Sequence, residues 1–267
     1  MATTHRRFII ATLICACAAV ALLVTSLATS SWIEATLSDP DDSFDPSAIN
    51  YGLFVGHVEG YRFVGVDLEL SMSCLFSENV CLMSCQTEDE ARQQELENLL
   101  HGMGNSVCPN IAGATNSTNF DRRFINAGLW VSCVLFLTVA LLAGVLAAVF
   151  AVVNTTTNPV EPIAGVFGLY VWNGIAGGCS LLVMILWGSQ FADTLSDNVA
   201  YSETITGIFR SQGDAALGVS YWLLLIVIFL HIINLSLLGA RKYLLAREPP
   251  APTIKMEENT DGIIFLY

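Results

Sequence analysis

The residues able to do chemistry in this sequence are few and scattered. Cys74, Cys81, Cys85 and Cys108 share one polar stretch, whereas Cys15, Cys17, Cys133 and Cys179 fall inside apolar runs. Clustered thiols either form disulfides or hold a metal. Zinc at Cys74, Cys81 and Cys85 would need a second close-spaced Cys or His pair, and the four histidines (His5, His57, His101, His231) lie in four different regions. Disulfides are therefore expected among the four clustered thiols, and three pairings remain open. The other four are expected to act as small apolar side chains. There is no Gly-x-Ser-x-Gly, no phosphate loop and no His-Glu-x-x-His, so nothing in the sequence supports acyl transfer, nucleotide hydrolysis or zinc proteolysis. The expectation is a non-enzyme with no cofactor, no metal and no nucleic-acid partner.

The elements that position these residues are set by where charge is missing. Residues of the hydrophobic set make up 54% of the 267 positions and charged ones 13%, about half the usual charge of a soluble domain. Four stretches, 8–33, 124–160, 162–192 and 215–240, contain no Asp, Glu, Lys or Arg. Each exceeds the roughly 20 apolar residues that carry a helix across a bilayer. Lipid offers a bare backbone no partner, so helices are the expected form. A barrel would alternate in and out over about ten residues, and runs such as 221–233 do not. The spans are placed at 8–28, 127–153, 166–187 and 219–239. A rival reading of the first is a cleavable signal peptide ending near Ser26-Leu27-Ala28, but its apolar run is longer than the usual signal core.

Basic residues choose the orientation. Arg6 and Arg7 precede the first span, and Arg241, Lys242 and Arg247 follow the fourth. Both ends are thus expected in the cytosol, as segments 1–7 and 240–267, with 154–165 as the inner connection. The outer loops are then 29–126 and 188–218. Between Trp32 and Asn126 there are fifteen acids and four arginines, a net of −11 within a whole-chain charge of −13. Such a surface attracts cations or a basic partner, or is simply well solvated. All four clustered cysteines fall in this loop, where oxidation is permitted. Asn116-Ser117-Thr118 fits the glycosylation pattern there. Asn154 and Asn234 fit it too, but on the cytosolic side and within a span.

The long loop reads as a small folded cap. Residues 32–37, 51–60 and 61–76 are rich in aromatic and β-branched types, which predicts a short antiparallel sheet, and 38–46 reads as a turn-rich linker. Thr87 and Glu90 have the spacing of a capping box and Gly102 supplies a stop, which predicts a helix over 88–101 with Leu96, Leu99, Leu100 and Met103 buried. Phe209 and Ile208 of the short loop are expected to pack on the cap. Gly174 and Gly178 are spaced for close helix packing, inside the bundle or against a second protein. His231 and Asn234 in the fourth span are expected to hydrogen-bond between helices or to sit near head groups. The absence of charge from every span is poor material for a proton relay. The tail begins proline-rich and turns acidic, which predicts disorder. It closes on Phe265-Leu266-Tyr267, which could add a strand to a PDZ domain or lie on the membrane.

The expected fold is thus a mainly α membrane protein: a four-transmembrane-helix bundle with a small extracellular β-sheet plus helix cap. That arrangement resembles the clarins, four-span proteins of the claudin-like group. Trp32-Ile33-Glu34-Ala35-Thr36 is similar to the family's Trp-Ile-Lys-Ala-Thr, and Tyr51-Gly52-Leu53-Phe54 to its Tyr-Gly-Leu-Phe. Gly168-Leu169-Tyr170, Cys179, Leu182-Val183-Met184-Ile185-Leu186 and the terminal Leu266-Tyr267 also follow the family. The cysteine placement and the 88–101 helix depart from it. The resemblance implies a non-enzymatic organiser at the cell membrane, of a family associated with hair cells, photoreceptors, synapses and actin-rich sites, and with hearing. Its implied partners are membrane lipids, other membrane proteins or further copies of itself, and PDZ-domain or cytoskeletal scaffold proteins through the tail. A channel-associated regulatory subunit and a claudin-type paracellular pore, with Asp39, Asp41, Asp42 and Asp45 selecting cations, are the alternatives.

Overall fold

The computed structural model describes residues 2–38, 45–61, 66–103, 121–156, 165–247, 257–258 and 264–265. Cys108, Asn116, Asp39, Asp41, Asp42, Leu266 and Tyr267 lie outside the described residues, and Phe265 is described in its backbone alone.

In chain order the elements are α1 (Ala2–Ala28), β1 (Ile33–Leu37), β2 (Ser47–Tyr51), β3 (Val55–Tyr61), β4 (Val66–Leu75) and β5 (Val80–Ser84). There follow α2 (Asp89–Leu100), β6 (Ile125–Asn126), α3 (Ala127–Thr156), α4 (Val166–Gln190), α5 (Ser202–Ile205), β7 (Ala215–Leu217) and α6 (Val219–Arg247), then β8 (Glu257–Glu258) paired with β9 (Ile264–Phe265). A π-helical turn, Phe191–Leu195, extends α4. Four helices, Arg6–Ala28, Ala127–Thr156, Val166–Leu195 and Val219–Arg247, are long and apolar enough to cross a membrane. At about 1.5 Å per residue each reaches or exceeds a hydrocarbon core of about 30 Å, so they overrun the expected spans. This is a multi-pass membrane protein with a small β-sheet.

α1 lies between α3 and α6, and α4 closes the ring against the same two helices. Their contact faces carry small residues: Ala16, Ala19, Ala140, Ala143, Ala147, Ala151 and Ala176 are buried. At Gly144 a Cβ would stand 3.1 Å from Val20. Small residues let helix backbones approach closely, and dispersion then holds the bundle where no hydrophobic gradient exists. The large side chains point the other way. Ile14, Leu135, Leu142, Phe167, Ile185 and Phe229 are exposed, a surface suited to lipid and not to water. Thr12, Thr138, Ser180 and Ser236 return their hydroxyls to carbonyls one turn back on their own helices, so these groups enter the bilayer satisfied.

The sheet has seven strands in the order β6-β5-β4-β3-β2-β1-β7, with its strand pairs antiparallel. β1 is flanked on both sides: Ile33 stands opposite Tyr51 on β2 and Leu217 on β7. The second long connection therefore completes the sheet begun by the first. One face buries Ile33, Ala35, Leu37, Ile49, Tyr51 and Val58 against Val199, Tyr201 and Phe209 from that connection. Phe209 packs as expected, with Ile208 partly buried beside it. On the other face Glu34, Asn50, His57 and Glu69 stand in one cross-strand row.

α2 caps the far side, where Leu96 and Leu99 meet Leu82 and Ile205. Its N-cap is Glu88 and makes no side-chain cap hydrogen bond, so the capping box read at Thr87 does not form. Met103 is exposed, not buried. The helix stops at Leu100, and Gly102 in the left-handed region (φ 75°) turns the chain before Met103 could extend the stripe. Glu95 is buried in its place and accepts a hydrogen bond from Ser84.

Candidate functional site

Three groups of side chains stand out from ordinary packing. The first is the joint between sheet and helices. After α1 the chain turns sharply, and Trp32 folds back so that its Nε1 donates to Ser26 O at 2.7 Å. Its ring, fully buried, meets Trp187 of α4 edge-on, with centroids 5.6 Å apart. Such an aromatic pair adds about 0.5–1.5 kcal/mol to plain burial. Tyr51 at the end of β2 is also fully buried, and its hydroxyl donates to Val199 O at 2.8 Å. Burial pushes the Tyr51 hydroxyl above its ordinary pKa, so it stays a donor at any working pH. Next to it, a Cβ on Gly52 would stand 2.4 Å from Thr29 O; only glycine lets this turn seat on the end of α1. Leu53 O accepts from Trp130 Nε1 at 2.7 Å, and Phe54 packs edge-on against Trp130.

Further bonds pin the same level. Asn79 Oδ1 accepts from the Gly128 amide at the start of α3, and Gln190 of α4 accepts from the Asn126 amide. Ser26 donates to Ser220 O, and the Thr29 and Ser220 hydroxyls are 2.6 Å apart. Arg123 pairs with Asp121 at 3.3 Å and with Asp197. The hydrogen bond to Asp197, and then the charge of Asp121, hold the guanidinium above its ordinary pKa.

The second group lies on the sheet. Cys74 and Cys81, opposite each other on β4 and β5, form a disulfide. Cys85 is disulfide-bonded as well. On the open face His57 Nε2 lies 3.3 Å from Glu59, and its Nδ1 is 3.5 Å from Ser30 Oγ. Glu59, Asp67 and Glu69 are exposed near it. Among the described residues no group of His, Cys, Asp and Glu is arranged to hold a metal ion.

The third group is inside the bundle. Asn173 Oδ1 on α4 accepts from Asn234 Nδ2 at 2.8 Å and lies 2.9 Å from His231 Nδ1. Asn173 Nδ2 donates to Leu169 O, which fixes the amide and therefore places a proton on His231 Nδ1. All three side chains are buried, and Gly177 gives His231 room, since a Cβ there would lie 3.2 Å from the His231 Cβ. His231 and Asn234 are thus interhelical partners. Asn173 belongs to no motif; its one signal in the sequence is that of a lone Asn on the third charge-free run. Gly174 and Gly178 do not pack within the chain. Both are exposed, with open space where a Cβ would stand, and the close approach falls to Gly177 instead.

Comparison with known proteins fits this frame. Clarin-3 of Mus musculus is 34% identical over 105 residues, 38% of this chain and 45% of that protein. Clarin-3 of Homo sapiens is 29% identical over 110 residues, 39% of this chain and 46% of that protein. Clarin-1 of Homo sapiens is 27% identical over 139 residues, 51% of this chain and 60% of that protein. Over these regions the chain is similar to clarins. The matched part spans about half the length of the curated clarins, and no protein-family model matches. The clarin-like residues Trp32, Tyr51, Gly52 and Leu53 turn out to be the joint itself. They hold the sheet to the helices and leave little of themselves for a partner.

Proposed function

We propose that this protein is a non-enzymatic organiser of membrane assemblies with a claudin-like plan, both termini in the cytosol and the sheet outside the cell. The observation that carries this reading is the joint at Trp32, Tyr51 and Trp130, which fixes a polar sheet face rigidly above the bundle. A rigid platform binds without losing order, which favours holding partners over turning over a substrate. The face it presents is acidic, through Glu34, Glu59, Asp67 and Glu69, and suits a partner with basic side chains. On the other side, the tail ending in Phe265-Leu266-Tyr267 would recruit a PDZ-domain or cytoskeletal scaffold.

The test is affinity purification of the full-length protein in mild detergent, compared with a variant lacking the last four residues and one with Glu59, Asp67 and Glu69 changed to Gln. Each change is expected to remove a different set of co-purifying proteins. Unchanged sets and unchanged localisation would end the scaffold reading. The acidic face also favours a second reading, a claudin-type junction or channel-associated protein selecting cations. It predicts that neutralising the same face shifts junctional ion preference.

A further inference from the structure

At the end of the bundle remote from the sheet, the core closes with one side chain from each helix. These are Ile9 of α1, Ala151 of α3, Leu169 of α4 and Leu238 of α6, with Tyr170 packed beside them. Arg6 and Arg7 precede this layer by less than a turn on α1, and Arg241 and Lys242 follow it by about a turn on α6. At about 1.5 Å per residue both pairs stand within roughly 6 Å of the layer. α1 and α6 pack against each other, so the two pairs are neighbours. The described helix ends here carry no Asp or Glu. Among the described residues the ion pairs belong to the sheet, α2 and the segments beside them.

Among the described residues, the Tyr170 hydroxyl and Arg241 Nε at this end are buried with nothing to accept from them. A Cβ on Gly239, two residues before Arg241 on α6, would stand 4.0 Å from the Tyr170 hydroxyl, so Tyr170 reaches from α4 to α6 at the level of Arg241. The Trp172 indole, stacked on Phe150 at this same end, and the Trp187 indole at the sheet end are unmatched as well but are not paired with a cationic donor. A guanidinium Nε–H and a hydroxyl left unmatched between packed helices call for an oxygen acceptor that is negative and has several lone pairs. Phosphate fits the planar Arg fork in this way. At the ends of membrane-spanning helices, the phosphate at hand is that of a lipid headgroup.

We propose that this end of the bundle binds the headgroup of an anionic phospholipid. Arg241 and Tyr170 hold a phosphate between α4 and α6, while Arg6, Arg7, Lys242 and Arg247 draw in further negative charge. A headgroup carrying several phosphates, such as an inositol bisphosphate lipid, is therefore preferred over singly charged phosphatidylserine. The inference rests on the orientation proposed above, which places these residues in the leaflet that holds anionic lipid.

The experiment uses the full-length protein in nanodiscs of phosphatidylcholine doped with phosphatidylserine or with phosphatidylinositol bisphosphate. Retained lipid is counted by native mass spectrometry, and affinity is read by titration with a fluorescent phosphoinositide. The expected result is one retained phosphoinositide, preferred over phosphatidylserine. Arg241→Gln should weaken binding about fivefold, as for one surface base, and Tyr170→Phe by a smaller factor with thermal stability unchanged. Arg6→Gln with Arg7→Gln should flatten the salt dependence. Equal retention by wild type, Arg241→Gln and Tyr170→Phe would overturn the proposal. So would equal competition by free inositol phosphate, which would mark a site for a soluble ligand. Epitope tags read orientation separately. Tags exposed on intact cells would sink the orientation and this inference together, whereas cytosolic tags without lipid discrimination would sink this inference alone.

Discussion

At the sheet end of the bundle, Trp32, Tyr51 and Trp130 each have their polar atom matched to a named carbonyl. At the opposite end, Tyr170 and Arg241 keep donors that no described residue matches. The sheet end is tied by hydrogen bonds between helix, strand and loop; the other end carries five basic side chains on α1 and α6 and few cross-links. Matched groups build a structure, and unmatched ones are what a partner can still satisfy. The clarin-like residues fall in both classes: Trp32 and Tyr51 are matched within the joint, whereas Tyr170 is one of the unmatched donors.

Breaking the joint should have the largest effect. Trp32→Ala removes a buried indole together with its edge-on contact with Trp187 and its bond to Ser26 O. A loss of about 3–5 kcal/mol is expected, read as a lowered melting point in detergent and rapid proteolysis of the cap. Tyr51→Phe keeps the packing and leaves the Val199 carbonyl without its donor, for about 1–3 kcal/mol by the same melt. A melt unchanged by Tyr51→Phe would show that the loop around Val199 is not part of the joint.

The middle of the bundle should respond less. Asn173→Ala leaves His231 Nδ1 and Asn234 Nδ2 without their shared acceptor. Interhelical hydrogen bonds in membranes contribute about 0.6 kcal/mol on average and up to about 1.7. Unfolding in mixed micelles should show a loss in that range. The smallest effect belongs to Gly174→Ala, which fills open space and should stay within about 0.5 kcal/mol. The same change at Gly177, which faces His231 at 3.2 Å, should cost more. Reversal of that order would move the inner face of α4 by one residue.

The spans were legible because an apolar run of about 20 residues without charge is what a bilayer core demands of a helix, and a water-soluble chain seldom keeps one. The faces of those spans were not. In a helix that is apolar all round, periodicity no longer separates inside from outside. Glycine spacing therefore pointed to Gly174 and Gly178, while the contact belongs to Gly177. Asn173 was silent for a related reason, since its role appears only once α6 brings His231 and Asn234 alongside. The strands β1, β3 and β4 could be read from composition, but β2, β5 and β7 could not. Ala215–Leu217 has no strand signature and becomes one by pairing with β1. The joint residues were visible as a pattern, yet their partners lie far along the chain, at Val199, Trp187 and Trp130.

The late arrival of β7 bears on how the protein is made. β1 emerges behind the first helix, but Tyr51 must wait for Val199, 148 residues later, and Ser26 for Ser220, 194 residues later. At a synthesis rate of about 5–20 residues per second, the first connection stays open for on the order of ten seconds while two more membrane helices, α3 and α4, are made. During that interval β1 has an unpaired edge and Trp32 lacks the indole of Trp187. A ribosome that stalls, or a truncation before residue 215, would thus release a chain with its helices in lipid and an unfinished sheet edge free to pair with a neighbour.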